Sequence, residues 1–297
     1  MRLTIAIVVL AVIAVGVVGA MMFGASRWRS KTDDLRTTLA AAPSPNTLAT
    51  YDPREIATLP PPVQRYFRAA LRDGQPIITW ARVTWQGEFN MGTPAKDNWK
   101  PFTATQEFAP AAPGFVWDAR ITMAPGLPVL VRDGFVAGVG SMHGAIWGLW
   151  PVVDAGDTPA IAAAALQRYL AEAAWLPTAL LPGQGVTWTA IDETRSRATI
   201  RGGSITTSVE FRFGADGLIQ SIFVPDRIFD NGKDPPAPRP WQGRNLTYQE
   251  QQGIMVPGDS VVEWLLPTGA FAYWRGRPTH IEYEYGLKQN GGWKDTR

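Results

Sequence analysis

The stretch Phe115-Val116-Trp117-Asp118-Ala119-Arg120-Ile121-Thr122-Met123 decides the fold. Its odd-numbered residues are apolar and its even-numbered residues are mostly polar, which is the period of a β-strand with one buried face. The stretch from Ile205 to Phe213 repeats this alternation. The sequence therefore predicts a sheet that turns one face toward a core.

Turn sequences separate many such stretches. Gly202-Gly203 precedes the second stretch, and Gly214-Ala215-Asp216-Gly217 follows it. Such short connections join antiparallel neighbours, because a parallel pair needs a long crossover. A sheet with this many strands must curl or close rather than stay flat. Further strands are predicted at 77–87, 101–109, 128–132, 134–140, 186–191, 196–201, 218–225, 243–250, 260–266, 270–276 and 279–285.

Two helices are predicted among the strands. The first begins after Pro60-Pro61-Pro62, and the second begins at Thr158-Pro159 and ends at Leu176-Pro177. Strands at 218–224 and 261–266 are apolar on both faces, so part of the sheet is expected to be covered on both sides. We predict a mainly β, α+β fold: a large curved antiparallel sheet or half-barrel packed on one or two helices, preceded by an N-terminal transmembrane helix.

Residues 3–24 predict that transmembrane helix. They carry no charge and are apolar apart from Thr4. At ~1.5 Å per residue they would span about 33 Å, enough to cross a hydrocarbon core of about 30 Å. The alternative is a secretory signal cleaved after Val18-Gly19-Ala20, for which the apolar run is long. The few positive charges on either flank of this single-pass span leave open which side of the membrane the main domain occupies.

Composition divides the chain further. We predict an anchor with its flanks at 1–29, a flexible linker at 30–58, a single β-rich domain at 59–286 and a C-terminal tail at 287–297.

The first thirty residues hold three arginines and no acid, so the rest carries 25 bases and 26 acids. The basic pI therefore does not indicate a nucleic-acid partner. Zero cysteines exclude disulfides and thiolate catalysis.

Five further segments are distinctive: Leu59–Tyr66, Pro125–Val129, Val131–Asp133, Arg168–Pro182 and Pro278–Tyr285. They resemble a bacterial family of domains of unknown function, over about residues 58–285. The resemblance implies no activity, because that family is uncharacterised. The overall pattern of strands and interrupting helix is also similar, in architecture alone, to the periplasmic lipoprotein-carrier half-barrel, which implies acyl-chain binding only by analogy.

Apolar and charged side chains near the predicted second helix are candidates for ligand contact. Tryptophans and a methionine suit an apolar cleft, and an arginine inside a curved sheet suits a carboxylate or phosphate. Core packing and ordinary ion pairs are the alternative interpretation of the same residues. The candidates are Trp117, Arg120, Arg132, Met142, His143, Trp147, Glu172 and Trp175.

Other motifs do not support a specific chemistry. Gly138-Val139-Gly140 lacks the spacing of a dinucleotide fingerprint, and Ser141 is one place off a nucleophile elbow. His280, Glu282 and Glu284 share a strand face, where a solvated face is the simpler interpretation. We predict no metal and no cofactor. The proline-rich segment from Asp226 to Trp241 is expected to be a surface loop.

The sequence favours a membrane-anchored protein that binds an apolar or amphiphilic, lipid-like ligand in the half-barrel, and it leaves open whether the protein catalyses a reaction. Its expected partners are the bilayer, through residues 3–24, and that ligand; nucleic acid is not expected. Two alternatives stay open. One is a cell-envelope hydrolase that uses Arg120, His143 and Glu172, and the other is a non-catalytic assembly protein with an exposed apolar patch.

Overall fold

Fifteen strands form most of the computed structural model, which describes residues 2–42, 50–230 and 235–286. Neighbouring strands are antiparallel throughout, as the short connections predicted. The strands are β1 (Ile78–Asn90), β2 (Trp99–Ala109), β3 (Gly114–Ala124), β4 (Leu127–Val136), β5 (Val139–Ile146), β6 (Trp150–Gly156), β7 (Thr187–Ala190), β8 (Arg195–Gly202), β9 (Ile205–Phe213), β10 (Ile219–Phe229), β11 (Ala237–Asn245), β12 (Tyr248–Gln251), β13 (Ile254–Pro257), β14 (Ser260–Leu266) and β15 (Gly269–Tyr285).

Thirteen of the described strands form one sheet in the order β6-β5-β4-β3-β2-β1-β15-β14-β11-β10-β9-β8-β7, and β12 pairs with β13 separately. The two halves of the chain meet where β1 pairs with β15. The predicted fold class, a large antiparallel sheet with few helices, is confirmed. The helices are α1 (Arg2–Ala40), α2 (Pro61–Ala70) and α3 (Pro159–Glu172), with 3-10 turns at Pro53–Ile56, Ala173–Trp175, Pro177–Leu180 and Pro182–Gln184.

The two faces of the sheet pack against different helices. We call the face that packs on α2 and α3 the inner face, and the opposite one the outer face. In β1, Val83 and Trp85 point inward, and the Trp85 ring meets Trp175 edge to face at 4.8 Å between centroids. Trp80 and Arg82 of the same strand point outward, as the period of two requires.

The inner face is covered mainly at one end of the strands. The helix α3 begins at Thr158, whose hydroxyl accepts a hydrogen bond from the Ile161 amide at 3.3 Å, and it ends one turn before the predicted Leu176. Its residues Leu166 and Leu170 are fully buried against the sheet. The helix α2 covers the strands around Phe213, to which its Tyr66 ring lies at 5.7 Å.

The helix α1 is longer than expected. Residues 2–20 are exposed and have the length and composition of a membrane span, whereas the part after Gly24 lies on the outer face of β2, β3 and β4. The predicted linker at 30–58 is therefore wrong for residues 30–40, which are helical because Thr32 and Leu39 find buried positions on the sheet. Residues 43–49 and the predicted tail at 287–297 lie outside the described residues.

Several local predictions need correction. The strands predicted at 270–276 and 279–285 are one strand, β15, and the stretch 243–250 is interrupted between β11 and β12. Residues 128–132 and 134–140 do not form separate strands, because β4 runs through Gly134, whose lack of a side chain fits the close approach of Phe115. The segment from Asp226 to Trp241 is not simply a loop: β10 extends to Phe229, and β11 begins at Ala237. Proline is tolerated there because Pro238 and Pro240 alternate with residues that keep their amides.

Candidate ligand-binding site

A continuous row of aromatic rings lines the inner face toward one end of the strands. Phe89 lies 6.2 Å from Trp117 and 6.1 Å from Tyr273, measured between ring centroids. Trp264 lies 6.2 Å from Tyr273 and 4.9 Å from Phe229. These distances fall in the range of favourable aromatic contacts. We call these five residues the aromatic wall.

The aromatic wall is only partly covered by the rest of the domain. Phe108 and Phe115, at the opposite end of the inner face, are completely buried beneath α3 and the 3-10 turns. By contrast, Phe89, Tyr273 and Trp264 are half-buried, although they pack against the same core. The inner face is therefore closed at one end and accessible at the other.

The accessible end is the end from which the exposed part of α1 departs. Met123 is half-buried on the inner face, and the turn that follows it contains Gly126. The Trp147 indole donates a hydrogen bond to the Gly126 carbonyl at 2.8 Å. The carbonyl of Trp147 in turn abuts Gly24, where α1 leaves the sheet.

A charged cluster lies between α3 and the wall. The Arg168 guanidinium contacts Asp133 at 2.5 Å and Glu172 at 2.8 Å, and it lies 5.0 Å from the centroid of the Trp117 ring. Burial alone would lower the pKa of Arg168, but the two carboxylates outweigh burial and raise it. Gln106 donates to the second oxygen of Glu172 at 2.6 Å, so this carboxylate is held from two sides.

A second arginine borders the wall on the opposite side of α3. Arg227 lies 4.8 Å from the centroid of Trp241 and donates to the Ala164 carbonyl at 2.8 Å. Burial lowers the pKa of Arg227, while Tyr273 and the carboxylates of the cluster act in the opposite direction. The Trp241 indole donates to the Tyr273 hydroxyl at 3.0 Å. Two arginines and two carboxylates balance, so this site offers no excess positive charge to an anion.

The outer face carries a separate groove of about 700 Å³. Outward residues of β1 and β15 line it, among them Gln86 and Arg277, and the backbones of Gly87 and Gly276 lie between them. Arg275 and Glu88 form an ion pair at 2.6 Å on one side. Because this groove lies on the opposite side of the sheet from α3, it is distinct from the aromatic wall.

The structure divides the eight sequence-predicted site residues between the two faces. Trp117 and Glu172 come together on the inner face, because both contact Arg168. Met142 of β5 lies opposite Asp133 in the register of β4 and β5, and 38% of its surface is exposed. Trp175 is buried in the core, where its indole donates to the Pro257 carbonyl at 2.8 Å.

The remaining four predicted residues do not reach the inner face. Arg120 and His143 occupy outward positions, and His143 contacts Asp154 at 2.8 Å. Arg132 is buried under α1, where it donates to the Thr32 hydroxyl at 3.2 Å. Trp147 lies in the turn between β5 and β6. The hydrolase cluster of Arg120, His143 and Glu172 is therefore not assembled, since Glu172 lies on the other side of the sheet.

Most of the aromatic wall was missed by sequence reasoning. Phe89 continues the inward positions of β1 beyond the predicted strand end at residue 87, so extending that alternation by two residues would have found it. Tyr273 and Trp274 both face the core because β14 and β15 slip in register between Val262 and Glu263. A bulge of this kind leaves no mark in the alternation that the sequence shows.

Metal-ligating residues do not gather in the described part of the chain. Within residues 2–42, 50–230 and 235–286, there is no group of three or more His, Asp or Glu side chains that could hold a metal ion. His280 contacts Glu282 at 3.0 Å, and both side chains are exposed. This pair belongs to a solvated strand face.

The fold and the partly open inner face define a β half-barrel domain with a long N-terminal helix. The chain belongs to the DUF6920 family of unknown function, whose model matches residues 57–283. This match confirms the family resemblance expected from the sequence for about residues 58–285. No curated protein matches the chain.

Three solved structures are similar to part of the architecture. A domain from Vibrio parahaemolyticus described as an outer membrane lipoprotein-sorting protein domain is 8% identical, with a TM-score of 0.37 over 71% of this chain and 88% of that one. A LolA superfamily protein from Nitrosomonas europaea is 7% identical, with a TM-score of 0.33 over 76% and 93%. A β-barrel-like DUF1849 protein from Brucella abortus is 11% identical, with a TM-score of 0.20 over 70% and 99%.

Proposed function

We propose that this protein is a membrane-anchored, non-catalytic domain that binds the apolar part of a lipid-like ligand on the aromatic wall. The observation that carries the proposal is the half-burial of Phe89, Tyr273 and Trp264 at the accessible end of the inner face. Aromatic rings that a fold leaves partly uncovered are typical of sites for apolar ligands.

The charged cluster sets the orientation of such a ligand. Arg168 is already paired with two carboxylates, and Arg227 is engaged by a carbonyl and by Gln167. Neither arginine is free to pair with an anionic head group, and pushing one against the cluster would displace existing hydrogen bonds. We therefore place the acyl chain along the aromatic wall and the head group outside, at the accessible end.

The helix α1 supplies the anchor in this proposal. Its exposed residues 2–20 form the apolar segment of a membrane span, and exposing that segment to water would be unfavourable. Cleavage after Ala20, as in a secretory signal, would leave the docked residues from Gly24 to Ala40 in place. The ligand site does not depend on which of these two fates the segment has.

The experiment is photo-crosslinking of the full-length chain in lipid nanodiscs with a diazirine-bearing fatty acid. We expect fragmentation of the labelled peptides to place the label on Phe89, Trp264 or Tyr273. Native mass spectrometry of the protein purified without detergent should show a retained lipid. Labelling confined to the outer groove at Gly87 and Gly276 and its rim, together with no retained lipid, would overturn the proposal.

A further inference from the structure

The hairpin formed by β5 and β6 exposes apolar side chains beside α1. Trp150 is 54% exposed and Val152 is 52% exposed, although both belong to a strand. The strand β6 is the edge of the sheet, where exposed apolar residues invite association in water. In the part of the chain that the structure describes, no element of the protein covers these side chains.

The turn of this hairpin is held firmly in place. The Trp147 amide donates to the Pro128 carbonyl at 3.1 Å, and its indole donates to Gly126. Both Trp147 and Gly148 have positive φ angles, 52° and 71°, which fix a tight turn. The Trp147 and Trp150 rings lie 5.7 Å apart, so they form one small aromatic surface.

This aromatic surface lies at the level where the apolar segment of α1 ends. Gly24 closes the apolar run of α1, and Arg27 and Arg29 follow within about one turn. The carbonyl of Trp147 and the side chain of Leu149 abut Gly24. Tryptophans prefer the boundary between hydrocarbon and head groups, where an apolar ring and a polar N–H both find suitable surroundings.

We infer that the β5–β6 hairpin is a second membrane contact, which inserts Trp150 and the neighbouring apolar residues into the bilayer interface beside α1. The partner is a lipid surface, and the contact is continuous with the span that enters it. This inference rests on the proposed membrane anchoring. It goes further in placing the accessible end of the inner face against the bilayer, from which a lipid-like ligand would enter.

The absence of cysteine allows a direct test. Single variants V12C, W150C, V152C and S204C of the full-length chain are spin-labelled and reconstituted in nanodiscs of phosphatidylcholine and phosphatidylglycerol. Accessibility of each label to oxygen and to a water-soluble nickel chelate reports its depth. Position 12 lies in the span, and position 204 lies in the β8–β9 turn at the other end of the strands.

We expect the labels at 150 and 152 to be several-fold less accessible to the nickel chelate than the label at 204. The label at 12 should be the deepest. If the label at 12 lies deep in the bilayer but the labels at 150 and 152 are as accessible to the nickel chelate as the label at 204, the hairpin contact is overturned and the proposed anchor is retained. If position 12 is also in water, the anchoring itself fails, and the hairpin contact fails with it. The label at position 152 is the control for the loss of Trp150, because V152C reports the depth of the hairpin while Trp150 is still present.

Discussion

Gly24 of α1 and Gly148 of the β5–β6 turn touch backbone to backbone. A Cβ atom on Gly148 would lie 2.7 Å from the Gly24 carbonyl oxygen, and one on Gly24 would overlap the carbonyl oxygen of Trp147. The helix and the turn can approach this closely because neither glycine carries a side chain. This contact joins the end of the apolar segment to the sheet.

Replacing Gly24 with alanine should therefore weaken the docking of α1. We expect a loss of about 1–3 kcal/mol in the free energy of unfolding, because the turn must shift to admit a methyl group. Chemical denaturation of the full-length chain in detergent micelles measures it. Gly19 is the matched control: it has no atom within 4 Å of the added Cβ, so Gly19→Ala should not lower stability, since alanine also favours the helix. Equal effects of the two variants would contradict the docking contact.

Removing the Arg168 side chain should lower the free energy of unfolding far more than removing the side chain of an exposed arginine. Arg168→Met leaves Asp133 and Glu172 largely buried without their cation, and we expect a loss of about 3–5 kcal/mol. Arg197 pairs with Glu210 at 2.8 Å but is 52% exposed, so Arg197→Met should cost less than about 1 kcal/mol. Urea denaturation compares the two, and similar losses would show that the cluster is not effectively buried.

The pH dependence of stability should carry a contribution from Asp118. Burial raises the pKa of this carboxyl, while the hydrogen bond from the Trp28 indole and the charges of Arg36 and Arg132 oppose the rise. Between the ordinary aspartate pKa of about 3.9 and the raised value, the folded chain binds a proton that the unfolded chain lacks. The contribution of this group to stability therefore increases as the pH falls through the raised pKa toward about 3.9.

The variant Asp118→Asn isolates that contribution. Asparagine keeps an oxygen that can accept the Trp28 hydrogen bond of 2.9 Å, but it does not titrate. Relative to the variant, the wild-type chain should gain stability on mild acidification. Denaturation curves of both proteins at neutral and mildly acidic pH measure the difference. A difference that does not change with pH would show that the pKa of Asp118 is not raised.

Truncating the aromatic wall should weaken ligand binding selectively. Phe89→Ala and Trp264→Ala each remove a half-buried ring, and losing about 50–100 Å² of apolar contact corresponds to a Kd weaker by roughly ten- to sixtyfold. Trp99 is the matched control, because its ring stacks on Arg275 on the outer face, 4.3 Å from the guanidinium carbon. Displacement of a fluorescent fatty acid gives the three Kd values, and an equal effect at Trp99 would place the ligand elsewhere.

The sequence was enough to predict the kind of fold. Alternation in β3 and β9 predicted strands, and short turns predicted antiparallel pairing; both are confirmed. The alternation did not predict that α1 covers the outer face of β3. The Thr158 cap predicted where α3 begins, because a cap depends only on residues a turn apart. These are local properties of the chain, which is why the residues alone reveal them.

The candidate site was predicted only in part, because it depends on contacts between distant segments. Trp117 and Glu172 meet through Arg168, whereas Arg120 and His143 lie on the other face of the sheet. Nothing in the sequence showed that α1 would continue past residue 30 and bury Arg132 under Trp28, 4.5 Å from its ring centroid. Closeness along the chain does not predict these contacts, because neighbouring residues of a strand lie on opposite faces of the sheet.

The unbroken course of α1 from Arg2 to Ala40 limits the reach of the domain. In the anchored protein that we propose, a helix that passes from the bilayer onto the sheet without a hinge cannot swivel or stretch as a flexible tether does. The strand β3 has 11 residues. The end of the sheet far from the membrane therefore lies about 36 Å from the end next to it. The domain we propose therefore stays at the membrane that anchors it and receives its ligand there. It could not carry that ligand to a second membrane.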